Sequence, residues 1–379
     1  MSDRPFIPFA RPVIDEAMIA AVGETLRSRW IASGPQVAAF EKGLSEYVGG
    51  RLVRVMTSAT AAMQLALEML HIGEGDEVIT PAQSFFCTGN VIERSGARTV
   101  FVDVDLVTRN LYMAQADAAV TPRTKMLLPT HYNAPIDPAA LAGFRKRHGV
   151  RILEDAALAI GSRAGGKPVG ASGDLVSFSF HPNKNLTTIE GGALVVNDAA
   201  EAAAIERLRF HGIVRKADGT RDVEVPGGKY NMSDVAARLG NTQLPHLDAW
   251  CRTRAALAGR YFECLAGDEL FAPEQLPPRD NPGHSWNLFA ILLPITATGI
   301  PRKAFMEAMH KEGIGTGLSY EAIHLTSYFR SKGFHEGQFP NSERISRETV
   351  TLPLHAEMTP SDVERVCSTM SRVLRRKAA

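Results

Sequence analysis

The chain has 379 residues, of which 45% are apolar, with 42 Lys and Arg against 41 Asp and Glu. That near-neutral balance leaves no net field to draw in nucleic acid or an anionic membrane surface, and the apolar share suits a globular protein with a sizeable core. Four scattered cysteines (Cys87, Cys251, Cys264, Cys367) without a Cys-x-x-Cys pair argue against a disulfide framework and a structural zinc site. No apolar run approaches the ~20 residues that cross a bilayer, and the N-terminus lacks a basic head followed by an apolar stretch, so the expectation is a cytoplasmic protein.

In chain order, short apolar strands are predicted at Leu52 to Met56, Glu77 to Thr80, Thr99 to Val104, Lys125 to Pro129, Val150 to Glu154, Leu175 to Phe180 and Ala193 to Val196. Helical stretches fall between them at Ala61 to Leu70, Asn90 to Glu93 and Pro138 to His148. This alternation predicts an α/β fold, a mostly parallel sheet covered by helices on both faces, with ligands bound where strands end. Beyond it come a helix at Ala199 to Phe210, a polar surface excursion from His211 to Lys229 and a long helical region from Asp234 to Tyr261. Pro273 to Pro282 reads as a connector, Asn287 to Leu293 as a strand, and Pro301 to Glu312 and Pro360 to Lys377 as helices. The expected division is a large domain over 1–250 and a smaller α+β domain over 251–379, with the N-terminal segment free to pack on the latter.

Lys184 stands out. It follows the apolar strand that starts at Leu175 and precedes Glu190, Gly191, Gly192 and a second apolar run. A lysine held between buried strands is placed to lose solvation, which frees its amine to attack a carbonyl; the plain alternative is a solvated loop lysine. Four other features bear on it. Ser58, Ala59 and Thr60, at a strand-to-helix passage, present small residues and hydroxyls to an anion, or simply cap the helix. Asp155, at a strand end, either faces a cationic ring nitrogen or caps a helix. Phe85 either stacks on a flat cofactor or joins the core. Ser179 shares a strand face with Ser177. Together they make the inventory for pyridoxal phosphate (PLP): a phosphate cradle, a ring stacker, an acid for the pyridine nitrogen and a lysine.

Several motifs then resemble the DegT/DnrJ/StrS family of PLP-dependent sugar aminotransferases, over nearly the whole chain. They are Trp30-Ile-Ala-Ser-Gly-Pro-Gln36, Gly75-Asp-Glu-Val-Ile-Thr-Pro81, Glu154-Asp-Ala-Ala157, Phe178-Ser-Phe-His-Pro-Asn-Lys-Asn185, Glu190-Gly-Gly192 and Lys229-Tyr-Asn-Met-Ser-Asp234. Gly313-Ile-Gly-Thr-Gly-Leu318 and Asn341-Ser-Glu-Arg-Ile345 look most like the branch making UDP-4-amino-4-deoxy-L-arabinose. The resemblance implies PLP fold type I, the aspartate aminotransferase-like fold. It implies Lys184 as the Schiff-base lysine, Asp155 as the pyridinium partner, Ser58, Ala59, Thr60 and Ser179 at the phosphate, and Phe85 in the stacking position. It further implies that Asn231 reaches the phosphate in a neighbouring subunit, making the active form a homodimer with shared sites. The implied reaction moves an amino group from L-glutamate to a nucleotide-linked keto-sugar. Relatives that replace the lysine by histidine act as dehydratases, so the lysine here points to transamination.

Three departures touch the acceptor side: Leu158 where relatives carry Gln or His, Asn287 where they often carry His, and a shorter turn after His131. They admit a second reading, a cyclic ketone that carries no nucleotide. A third, a silent PLP-binding regulator, is opposed by the intact Lys184 and Asp155. His181 is a candidate for touching substrate or for a structural hydrogen bond, and His324 for acceptor binding. Glu190 with its two glycines is expected to shape the turn after the lysine through positive φ. Arg207, Arg209 and His211 read as a solvated helix face or a basic edge for a diphosphate.

Overall fold

The computed structural model describes residues 5–132, 134–281 and 283–375. Asn133 of the His131 turn, Pro282 of the connector, and Arg376 and Lys377, with which the sequence predicted the last helix to end, lie outside them. Seven strands form one sheet in the spatial order Leu52–Met56, Gly192–Val196, Leu175–Ser179, Arg151–Asp155, Thr124–Leu127, Glu77–Pro81, Arg98–Val102. From Leu175–Ser179 outward to Arg98–Val102 every pair is parallel. Gly192–Val196 alone runs against both its neighbours.

The strands Leu175–Ser179 and Gly192–Val196 are buried at every position, as the mostly apolar sequence of a sheet covered on both faces requires. Side chains alternate across the sheet. Leu194 and Val196 join one core with Met63, Leu67 and Ile205, whereas Ala193 and Val195 join the other with Phe40, Phe178 and Leu247. The helix Ala59–Met69 is capped by Ser58, whose hydroxyl accepts from Ala61 N–H.

A second body surrounds the antiparallel strands Phe289–Leu292 and Thr349–Leu352. Its core joins Tyr261, Phe289, Phe305, Val350, Val366 and Met370, and Ile7 enters the same core while bonding Gly313 and Gly315. The helix Leu247–Leu265 crosses the division expected at residue 250. Its Leu247 and Cys251 pack on the sheet, and its Leu257, Tyr261 and Leu265 pack in the second body. The surface excursion holds an exposed hairpin, Ile213–Arg215 against Arg221–Val223.

Two helices, Glu16–Ser28 and Pro35–Tyr47, precede the first strand where the sequence suggested no element. The first buries only Met18, Ala21 and Thr25 and exposes Ile19 and Leu26, so its apolar residues form no single stripe. The second starts at Gly34-Pro35 with no capping side chain of its own. Asp234 supplies the cap from 200 residues away: it is fully buried and accepts from Gly34 N–H at 2.8 Å, Gln36 N–H at 3.1 Å and Val37 N–H at 3.0 Å. Ser33 Oγ donates to Met232 O at 2.6 Å, so the Trp30 to Gln36 and Lys229 to Asp234 motifs are each other's partners. Asp234→Ala removes the acceptor of three N–H groups at a helix N-terminus, that of Val37 buried and those of Gly34 and Gln36 half-buried, and should lower unfolding free energy by about 2 kcal/mol in urea titration. Asp234→Asn, which keeps an acceptor oxygen, should recover part of that loss.

Candidate active site

Strand register brings the predicted residues to one edge of the sheet. Met56 pairs with Gly192, Gly192 with Ser179, and Ser177 with Asp155, so the stretches that follow Met56, Asp155 and Ser179 emerge side by side. A cavity of about 360 Å³ opens there. Ser58, Ala59, Thr60, Phe85, Asp155, Leu158, Ser179, His181, Lys184 and Glu190 all line it. A more open cleft of about 700 Å³ at the outer edge strand holds no comparable chemistry, because Arg98 and Arg123 pair with Glu77 and Lys332 with Glu93.

Lys184 sits in the turn after the strand, its N–H donating to His181 O at 2.9 Å. The residue is half-buried and lines the cavity. Burial lowers its pKa to about 8, against the opposing pull of the Asp155 carboxylate. Asp155 is 1% exposed. Burial pushes its carboxyl upward, while Ala157 N–H (3.1 Å), Lys184 and His131 pull it back. The anion is held best while a positive charge faces it. A turn rather than a helix follows Asp155, so it caps no helix.

The two readings of Ser58 both hold, since it caps the helix and lines the cavity. First-turn N–H groups of a helix have no carbonyl one turn back, and Ala59 and Thr60 border the cavity at that turn. Ser177 Oγ donates to Ala59 O at 3.2 Å, tying the helix start to the strand, and Ser179 is left at the cavity. The glycines after Glu190 act through space rather than φ. A Cβ on Gly192 would run into the backbone of Ser58 and Ala59, and one on Gly191 into Thr188 and Met232; the positive φ in this turn belongs to Ile189. Phe85 is 49% exposed with its ring 5.4 Å from Tyr320, so it belongs to the cavity and not to the core.

Leu158 lines the cavity and packs with Tyr132, Leu288 and Ala290, making this wall apolar. His181 is exposed at the cavity, with Nδ1 2.8 Å from Asn183 Oδ1. Other candidates lie elsewhere. His324 is fully buried, 3.1 Å from Glu343 and packed on Phe339, because that side of the second body is an aromatic core. Asn287 reaches Asn183 O (3.1 Å) and Asn185 Oδ1 (3.2 Å), bracing the Lys184 turn from outside the cavity. Asn231 donates to Ser33 Oγ at 2.6 Å, also outside it. Arg209 is neither a solvated face nor a diphosphate edge: it is 5% exposed and paired with Glu41 and Glu206. His131 is held by Glu154 (2.8 Å) and by Ile136 N–H (3.0 Å).

Sequence reasoning missed Tyr320, Cys87, Ser84 and Thr130 in the cavity wall. Ser84 and Thr130 follow strand ends and share a hydroxyl hydrogen bond of 3.0 Å, a position the strand pattern could have flagged. Tyr320 arrives from the second body in a segment with no periodic pattern. Burial pushes the Cys87 thiol up to about 12, so it stays protonated.

These residues fit PLP. A deshielded amine, an opposed buried carboxylate, an exposed ring, and hydroxyls at a helix N-terminus converge on one cavity. The model of the DegT/DnrJ/EryC1/StrS aminotransferase family matches residues 12–371. The fold is similar to that of Spr1654 from Streptococcus pneumoniae in its PMP form, with a TM-score of 0.90, 28% identity, and 98% of this chain and 99% of that one covered. It is similar as well to the aminotransferase TlmJ from Streptoalloteichus hindustanus (TM-score 0.89, 32% identity, 97% and 98% covered). DesI, solved in the presence of its TDP-sugar product, matches with a TM-score of 0.88 and 29% identity over 99% of this chain and 94% of that one. The chain belongs to the DegT/DnrJ/EryC1/StrS aminotransferase family and is a PLP-dependent aminotransferase of fold type I.

Proposed function

We propose that this enzyme moves an amino group from L-glutamate to the keto carbon of a nucleotide-linked keto-sugar, as a cytoplasmic homodimer with shared active sites. The observation that carries the reading is the meeting of Lys184, Asp155 and the Ser58 to Thr60 helix start at one cavity. The nucleotide is supported by DesI, which was solved with a TDP-sugar product. A homodimer would cover Trp30 and Ile31, at the start of the first clamped motif, and Phe210 and Val223, ahead of the second, all large apolar side chains exposed here.

PLP, when bound, carries the amino group between donor and acceptor and serves as the electron sink for breaking the carbon–hydrogen bond. Lys184 Nζ would hold the cofactor covalently and, when free, would take a proton from the donor carbon and return it during the transfer. The lowered pKa suits both tasks, since a protonated amine can neither attack nor accept. Asp155 keeps a proton on the ring nitrogen by facing it with a buried negative charge. Ser58, Ser179 and the helix start at Ala59 and Thr60 hold the phosphate. Phe85 would stack on the ring, and Leu158 with Tyr320 keeps that side of the cavity apolar.

Lys184→Ala should abolish the visible absorbance of the purified holoenzyme and cut turnover by at least about a thousandfold, because one group both anchors and moves the proton. Adding L-glutamate to wild type should bleach that band; a band unchanged by L-glutamate would remove it as donor. The pH dependence has a definite sign. Below pH 8 the Lys184 amine is protonated, so cofactor capture by apoenzyme should accelerate as pH rises and level off above about 8. A lysine at the ordinary 10.5 would keep accelerating past pH 10, and rapid-mixing absorbance separates the two.

A further inference from the structure

Arg109 is among the largest fully buried side chains, 1% exposed, and no carboxylate pairs with it among the described residues. A buried guanidinium without a counter-ion is costly, and its backbone adds to the cost with φ of 57°, in the left-handed region. Its neighbours indicate what it does. Nη1 donates to Thr349 Oγ1 at 2.8 Å and lies 3.5 Å from Tyr132 Oη, and Nη2 donates to Ala290 O at 3.1 Å. The guanidinium carbon lies 5.4 Å from the centre of the Tyr132 ring. The next residue, Asn110, accepts from Tyr132 N–H at 2.9 Å, so one short turn grips both the backbone and the ring of Tyr132.

Both hydroxyls that Arg109 touches converge on one carbonyl. Tyr132 Oη and Thr349 Oγ1 each donate to Ser319 O, the latter at 3.1 Å, and Thr351 Oγ1 meets Ser319 Oγ at 3.0 Å. Ser319 is followed by Tyr320, whose ring lies 6.0 Å from Tyr132 and 5.4 Å from Phe85 at the cavity. Leu158 belongs to the same cluster as Tyr132 and Tyr320. The contacts therefore run unbroken from Arg109 to the cavity wall, linking a turn of the sheet body to both strands of the second body.

We propose that Arg109 is a positioning residue for the acceptor side of the active site. Acting through Tyr132 and Thr349, it fixes the Ser319–Tyr320 segment, and with it the wall that Tyr320, Phe85 and Leu158 present to the cavity. The direction of its effect on turnover rests on the sugar aminotransferase reading; its effect on the segment does not.

The test uses the holoenzyme and three variants, Arg109→Met, Arg109→Lys and Thr349→Val, of which the last is close to threonine in size and keeps the guanidinium in place. Hydrogen exchange of the 317–322 peptide should quicken about tenfold in Arg109→Met and less in Thr349→Val, with Arg109→Lys between, while 175–179 stays unchanged. Bleaching by L-glutamate should stay within about twofold of wild type, whereas KM for a thymidine diphosphate 4-keto-sugar probe should rise about tenfold with a smaller change in kcat. Combining Arg109→Met with Tyr320→Ala should add little to either single loss, because the two act in series. Exchange that is unchanged at 317–322, or that rises equally in the sheet, overturns the proposal, as do equal losses in both half-reactions. A wild-type enzyme that binds PLP and bleaches with L-glutamate but ignores the probe overturns the nucleotide-sugar reading instead, and the exchange result then decides Arg109.

Discussion

Burying an ammonium group costs more than one hydrogen bond returns, so a lysine at the bottom of a cavity is pushed toward its neutral form. In this protein that push is balanced by a buried carboxylate. Lys184 settles at about 8 because burial lowers it and Asp155 raises it, and Asp155 is itself lifted by burial and drawn back by Lys184 and His131. Neither group would have its character in isolation: without Asp155 the amine would be more neutral, and without a cation opposite it the carboxyl would protonate more readily. The rest of the scaffold serves to keep these two charges close and dry.

Sheet topology does most of that work. Because Gly192–Val196 runs against its neighbours, its first residue lies beside the last residues of the two strands that flank it, and a side chain there would block the helix start at Ser58 and Ala59. Ser177 fastens the same helix from the next strand. The helix start at Ser58 and Ala59 is thus held by a missing Cβ and a hydroxyl, and Asp155 stands one strand further along. Asn287 braces the lysine turn from the other body, which couples the second domain to the reacting amine without placing that residue in the cavity.

Most of this was legible in the sequence, for reasons that can be named. Strand ends in an α/β sheet are where ligands bind, so Ser58, Asp155, Ser179 and Lys184 could be grouped before their distances were known. The glycines after Glu190 were visible but their purpose was not, because close approach and positive φ demand the same residue. His324 and Arg209 misled for a common reason. A titratable side chain near a motif reads as exposed and available, whereas Glu343 and Glu41 had already been brought to them by the fold. The helices before Leu52 escaped because the cap of the second one, Asp234, belongs to a distant motif.

What the sequence could not express is how the second body shapes the acceptor side. Tyr320, Leu288 and Ala290 reach the Leu158 wall from elements with no chemical signature, and their placement depends on Ser319, Thr349 and Arg109. Lys184 and Asp155 are carried by the sheet body, and the cavity wall at Leu158 and Tyr320 is assembled from both bodies. In this arrangement the packing behind Tyr320 and Leu158 is separate from the groups that hold Lys184 and Asp155 in place. A polar side chain at position 158 would have to find its hydrogen-bond partner in Tyr132, in Tyr320 or across the cavity, and the Tyr132 hydroxyl already donates to Ser319 O. Leucine at 158 makes no such demand, and it completes an apolar wall with Leu288 and Ala290.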